Sequence, residues 1–76
     1  MKNNEQVIKE LKVEKDQVMQ QFNQLLKFFG TDDFKKLSGT QQHYLRIQMS
    51  IMRTYSDVLD ARITDLSGGD SKEDEK

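Results

Sequence analysis

The sequence predicts an all-α fold: two long antiparallel helices, about 3–29 and 40–66, joined by a short helical turn and assembling as a homo-oligomeric helical bundle. Three observations predict it. The chain has no proline and only 4 glycines, so neither long stretch meets a residue that must break a helix. Apolar side chains recur at alternating steps of three and four, the spacing of a packed helix seam. The connection between the two stretches, GTDDFKKLSG, is too short for anything but a return, so the helices run antiparallel.

In the first helix, Asn3 or Asn4 is the expected N-cap, and Glu5 stands near the positive end of the dipole. Ile8, Leu11, Val18, Phe22, Leu25 and Phe29 keep the alternating step, and Gly30 stands where a left-handed C-cap is wanted. Lys15 interrupts this seam. Either its stem lies along the apolar stripe with the ammonium in water, or its charge meets an anion or a partner carboxylate. Val7, Met19, Leu26 and Phe28 widen the apolar surface beyond one helix contact, so more than one partner helix is implied. The polar side carries Lys9, Lys12, Asp16, Gln20, Asn23 and Lys27, which form either a solvated face or a side from which phosphate is gripped.

The connection is expected to act as a plug. Thr31, followed by Asp32 and Asp33, reads as the N-cap and first turn of a single helical turn from which Phe34 and Leu37 point inward. Ser38 then precedes Gly39, Thr40 and Gln41 in the S-x-x-Q arrangement of a capping box, which starts the second helix.

That second helix carries two stripes. Leu45, Met49, Met52, Ser56, Leu59, Ile63 and Leu66 form a narrow seam for the first helix. Beside it run Tyr44, Gln48, Ile51, Tyr55, Val58 and Arg62, a mixture of aromatic, aliphatic and hydrogen-bonding groups for which a plain surface helix has no use.

A chain of 76 residues buries only about 60% of the surface it exposes when unfolded. The usual supports are missing, because there is no Cys and the one His has no visible ligand partner. Oligomerisation remains. The organisation expected is a helical hairpin domain over 1–66 and a disordered acidic tail over 67–76, dispensable for assembly and binding. Of the 12 Lys and Arg and 13 Asp and Glu, that tail holds two and four, leaving ten against nine in the hairpin. So even a balance argues against a DNA or RNA polymer as partner and against a membrane surface. With no signal peptide, spanning segment or lipidation motif in view, a cytoplasmic location is expected.

Motifs of chemistry are missing: there is no P-loop, G-x-G-x-x-G, H-E-x-x-H or EF-hand loop, and no Cys/His pair. His43 stands in the first turns of a helix with no acid or nucleophile at a helical step from it. Asp57 and Asp60 have no second pair with which to build a di-metal site. No enzyme, catalytic residue, metal or cofactor is predicted.

Phe34 and Leu37, then Leu45, Gln48, Met52, Tyr55, Val58, Leu59, Arg62 and Ile63, spell F-x-x-L, a gap, and L-x-x-Q-x-x-x-M-x-x-Y-x-x-[IV]-L-x-x-R-I. This pattern resembles a family of short phage proteins that includes the anti-CBASS sponges, which sequester the cyclic oligonucleotide messengers of a bacterial immune system. The resemblance covers roughly Val7 to Leu66. It implies an all-helical protomer in a compact homo-oligomer, a hexamer in the sponges, with cyclic di- or trinucleotides held between protomers and never cleaved. It also places the protein in the host bacterial cytoplasm if phage-encoded.

In such relatives an aromatic residue and a lysine of the N-terminal helical region hold cyclic dinucleotides, and an arginine near the end of the C-terminal helix serves trinucleotides. Arg62 matches that arginine by its place in the R-I pair, and a planar, always-charged guanidinium suits phosphate. Its structural alternative is an ion pair with Asp65 or with a neighbouring protomer's acid. The first helix has no tyrosine or tryptophan, so Lys12 and Lys27 are the candidate cations, and stacking falls to Phe28 or to a tyrosine of another protomer. Tyr55 and Gln48 complete the candidate ligand-binding set. The alternative from another class is a structural or adaptor hairpin whose second stripe meets a different protein.

Two wide apolar faces on so short a chain predict an obligate homo-oligomer, and Leu59→Asp, which puts a charge in the seam, is expected to unfold it. Light scattering together with a thermal melt checks this. A cooperatively folding monomer at micromolar concentration would overturn it.

Overall fold

The computed structural model describes residues 3–68, in which α1 spans Asn4–Phe29, α2 Asp32–Lys35 and α3 Gly39–Leu66. The predicted helices and the turn between them are present within a residue of the predicted limits. The expected tail from Gly69 onward lies outside the described residues.

The first cap falls on Asn3. Its Oδ1 accepts from the Gln6 amide at 2.9 Å, and Gln6 Oε1 accepts from the Asn3 amide at 3.2 Å, a reciprocal capping box that satisfies two amide groups of the helix start. Glu5 in the first turn and Lys27 in the last both complement the helix dipole.

The other end of α1 departs from expectation. Gly30 is not left-handed, with φ −89° and ψ 5°. Thr31 makes the reversal unnecessary: its amide donates to the Phe28 carbonyl at 3.0 Å and its hydroxyl to the same oxygen at 2.7 Å. That hydroxyl also accepts from the Phe34 amide at 3.3 Å, so one side chain ends α1 and starts α2. Left-handed glycine appears instead at Gly68, with φ 83°. Ser67 closes α3 by donating its hydroxyl to the Ile63 carbonyl at 2.7 Å, so the helix cap uses the first residue assigned to the tail by sequence.

Phe34 is the plug, 6% exposed. Its ring meets Phe29 at 4.6 Å between centroids and Phe28 edge-on at 6.0 Å. The Arg46 guanidinium lies 5.4 Å from the Phe34 centroid and 6.0 Å from that of Phe29, a cation–π contact that adds about 0.5–1 kcal/mol at a partly exposed site. Ser38 supplies the serine half of the predicted box, accepting from Gln41 at 3.1 Å. The neighbouring Gln42 does what the sequence did not foretell: its Nε2 donates to both Phe34 and Leu37 carbonyls at 3.1 Å, satisfying the end of α2.

The long helices meet along the predicted seam. Leu11 and Leu59 are buried, at 4% and 1% exposed, and Ser56 at 5%, while Leu45, Met49, Met52, Ile63 and Leu66 are half-buried. Lys15, the interruption in α1, takes the second of its two readings: Nζ lies 2.6 Å from Asp60 Oδ1. With side chains 31% and 54% exposed, the pair contributes no more than about 0.2–1 kcal/mol, but it marks the register. Fourteen residues on from Lys15, Phe29 lies under Arg46, fourteen residues back from Asp60, so the helices run antiparallel at constant offset.

Because Gly30 has negative φ and an added Cβ would sit an ordinary 3.6 Å from the Lys27 carbonyl, Gly30→Ala is expected to stabilise the fold by about 0.4–1 kcal/mol through the unfolded state. Melts at fixed protein concentration measure it. A loss of stability would mean that the C-cap uses the left-handed region after all.

Candidate functional site

The second stripe of α3 stands on the flank opposite the Lys15–Asp60 pair. Tyr44, Ile51, Tyr55 and Val58 are 57%, 62%, 42% and 49% exposed, and Ile47, outside the predicted stripe, joins them at 43%. Gln48, Tyr55 and Arg62 stand seven residues apart on this ridge, all exposed. The ridge spans about 21 Å from Gln48 to Arg62 at 1.5 Å per residue. Arg62 makes no ion pair with Asp65 and has no ion-pair partner among the described residues. Its guanidinium is therefore available to an anion.

The six candidate residues do not converge in one protomer. Lys12 and Lys27 are exposed on α1, about 22 Å apart along the axis. By the register of the hairpin, Lys27 stands level with Gln48 and Lys12 level with Ile63, beside Arg62. Level is not adjacent: at about 100° per residue, Lys12 leans to the flank of the Lys15–Asp60 pair, whereas Arg62 lies on the other flank with Tyr55. Lys12 instead lines a depression with Glu5, Gln6, Ile8 and Lys9. Phe28 is half-buried with its ring edge-on to Phe34, so part of its stacking surface is spent on the plug.

A second feature escaped the sequence reading. On the Lys15 flank the helices part to leave a cleft of about 290 Å³, bounded by Lys15 and Asp60 at one end and by Phe22 and Arg53 at the other, with Met19, Ser56 and Asp57 between. The signal was present, since a small hydroxyl residue at position 56 interrupts an otherwise apolar seam and an Arg and an Asp flank it one turn apart. In sequence terms Asp57 and Asp60 are weighed as metal ligands and Lys15, Phe22 and Ser56 fall in the seams, with nothing to bring them together. Among the described residues no group of three or more His, Asp or Glu is placed to hold a metal ion, and no helix is long and apolar enough to cross a membrane.

Comparison with known proteins gives one result. The family model described as Sequestin matches residues 5–65, whereas neither curated proteins nor solved structures return a match. The matched span runs from the first turn of α1 to the last turn of α3, taking in both helices, the plug between them and both stripes of α3. With nearly all of the hairpin inside the match, the chain belongs to the Sequestin family, the family of anti-CBASS cyclic-oligonucleotide sponges.

Proposed function

We propose that the protein binds cyclic oligonucleotide, or related nucleotide, immune signals and sequesters them without cleaving them, as a phage-encoded homo-oligomer of hexameric type. The observation that carries this reading is the family match over the entire hairpin, in which Arg62 falls on the exposed ridge with no internal partner. Sequestration asks for tight binding and nothing more. Guanidinium, phenol and amide side chains in one row, at Arg62, Tyr55 and Gln48, offer phosphate contacts, a stacking face and a hydrogen-bonding group respectively.

The separation of Lys12 and Lys27 from that row within one chain supports ligand sites completed between protomers. In this reading the lysine of one copy and the arginine or tyrosine of another close on the same ligand, and the exposed Ile47, Ile51 and Val58 bring the copies together. Fully burying a wholly exposed side chain of this kind contributes about 1.5–3 kcal/mol, and these three still expose 43%, 62% and 49%, so each adds about half of that to assembly.

The adaptor reading keeps one specific support, the apolar character of the same ridge. Ile51, at 62% exposed the most open of the large apolar side chains among the described residues, would serve a different protein as well as a second copy of this chain. Ligand binding separates the two readings.

Purified protein is expected to take up a cyclic oligonucleotide from a panel, to return it intact on heat denaturation, as read by mass spectrometry, and to bind it about 10- to 150-fold more weakly as Arg62→Ala. That change follows from losing one charge-assisted contact of about 1.5–3 kcal/mol. Calorimetry on a variant of unchanged oligomeric size makes the measurement. Equal affinity in Arg62→Ala removes this residue from the site, and a parent that binds no member of the panel favours the adaptor.

A further inference from the structure

The cleft between α1 and α3 contains four charged groups, and they are not equivalent. Lys15 and Asp60 neutralise each other at 2.6 Å. Arg53 and Asp57 also line the cleft, one helical turn apart on α3, yet among the described residues neither has an ion-pair partner. Their order explains this in part, because an i, i+4 pair with the cation first is the less favourable orientation on a helix. A guanidinium and a carboxylate are thus left free side by side, against the apolar side chains of Met19 and Phe22.

A bare phosphate is a poor match for this cleft, since the carboxylates of Asp57 and Asp60 would face it alongside the cations. The groups fit a ligand that brings an anion for Arg53 and neighbouring N–H donors for Asp57. Among the nucleobases, guanine alone places two donors side by side on one edge, the ring N1–H and the exocyclic N2–H, matching the two oxygens of a carboxylate. Adenine and cytosine set an acceptor beside their amine, and uracil flanks its single N–H with carbonyls, so each turns a lone pair toward a carboxylate oxygen.

We propose that this cleft is a guanine-nucleotide subsite, in which the Asp57 carboxylate accepts from guanine N1–H and N2–H, Arg53 holds a phosphate, and Met19 and Phe22 wall the base. Its volume of about 290 Å³ falls just short of the usual range of small-molecule sites, about 300–1,000 Å³, and suits one nucleotide unit, not a whole ring. The subsite rests on the sponge reading for the source of that nucleotide, one guanosine of a cyclic oligonucleotide, and on the cleft alone for the choice of base.

Calorimetry of the full chain with cyclic di-GMP, cyclic di-AMP, GMP and AMP tests it. The parent is expected to prefer each guanine ligand over its adenine counterpart by about 5- to 150-fold, the discrimination carried by one bidentate contact to a base edge. Asp57→Asn exchanges one acceptor for a donor, the pattern that suits adenine, and is expected to reverse the preference. Arg53→Gln is expected to weaken guanine and adenine ligands by a similar factor and leave their ratio unchanged. Both side chains are exposed, and circular dichroism melts establish that the variants keep the fold. Absence of a guanine preference in the parent, or an Asp57→Asn ratio equal to the parent's, overturns the subsite. If cyclic dinucleotides bind through Arg62 without base preference, the subsite falls and the sponge reading stands. If GMP binds over AMP through Asp57 while no cyclic ring is taken up, the subsite stands and the sponge reading falls. No binding of any of the four overturns the subsite, and the wider panel then decides the sponge reading separately.

Discussion

A two-helix hairpin has a single seam to bury, and the rest of this structure follows from that limit. Among the described residues the buried apolar side chains are Leu11, Phe34 and Leu59, the two leucines in the half of the long contact away from the turn and the phenylalanine in the corner. So thin a core leaves little margin, because a small domain's net stability is a few kcal/mol between large opposing terms. The protein meets the limit with local order: a reciprocal cap at Asn3, a hydroxyl shared by two helices at Thr31, and a side-chain amide at Gln42 bridging two carbonyls. Each satisfies a helix end that would otherwise depend on water.

The same limit gives the hairpin two unlike flanks. One is an apolar ridge interleaved with hydrogen-bonding groups, the other a charged cleft tied by Lys15 and Asp60. Within one protomer nothing covers the ridge, whereas both long helices line the cleft. The side chains that line the cleft and those of the ridge are distinct, so neither face draws on the other's residues.

The helices, their direction and both stripes of α3 were legible because each is written as a period, and a period needs no knowledge of neighbours. The family was legible in the same stretch, through the spacing of Gln48, Met52, Tyr55 and the Arg62-Ile63 pair. What escaped depends on a choice between partners. Gly30 invited a left-handed cap, but Thr31 already held the Phe28 carbonyl with two donors. Lys15 could have reached water, and only the register of the second helix sets Asp60 against it. Gln42 reads as an ordinary polar residue until the corner folds over it. The cleft was hidden for a similar reason, since Phe22 and Arg53 become neighbours only when the hairpin closes.

Thr31 has a consequence for how the molecule breathes. Its one hydroxyl donates to the last turn of α1 and accepts from the first of α2, with Phe34 packed just beyond. Fraying of either helix end at this corner costs a bond to the same hydroxyl, which couples the opening of the two. At the opposite pole, the start of α1 and the end of α3 carry separate caps and can fray independently. Amide hydrogen exchange would then run as a gradient along the hairpin, slow and collective at the corner and quick toward the termini, leaving Arg62 near the yielding end and Gln48 near the stiff one.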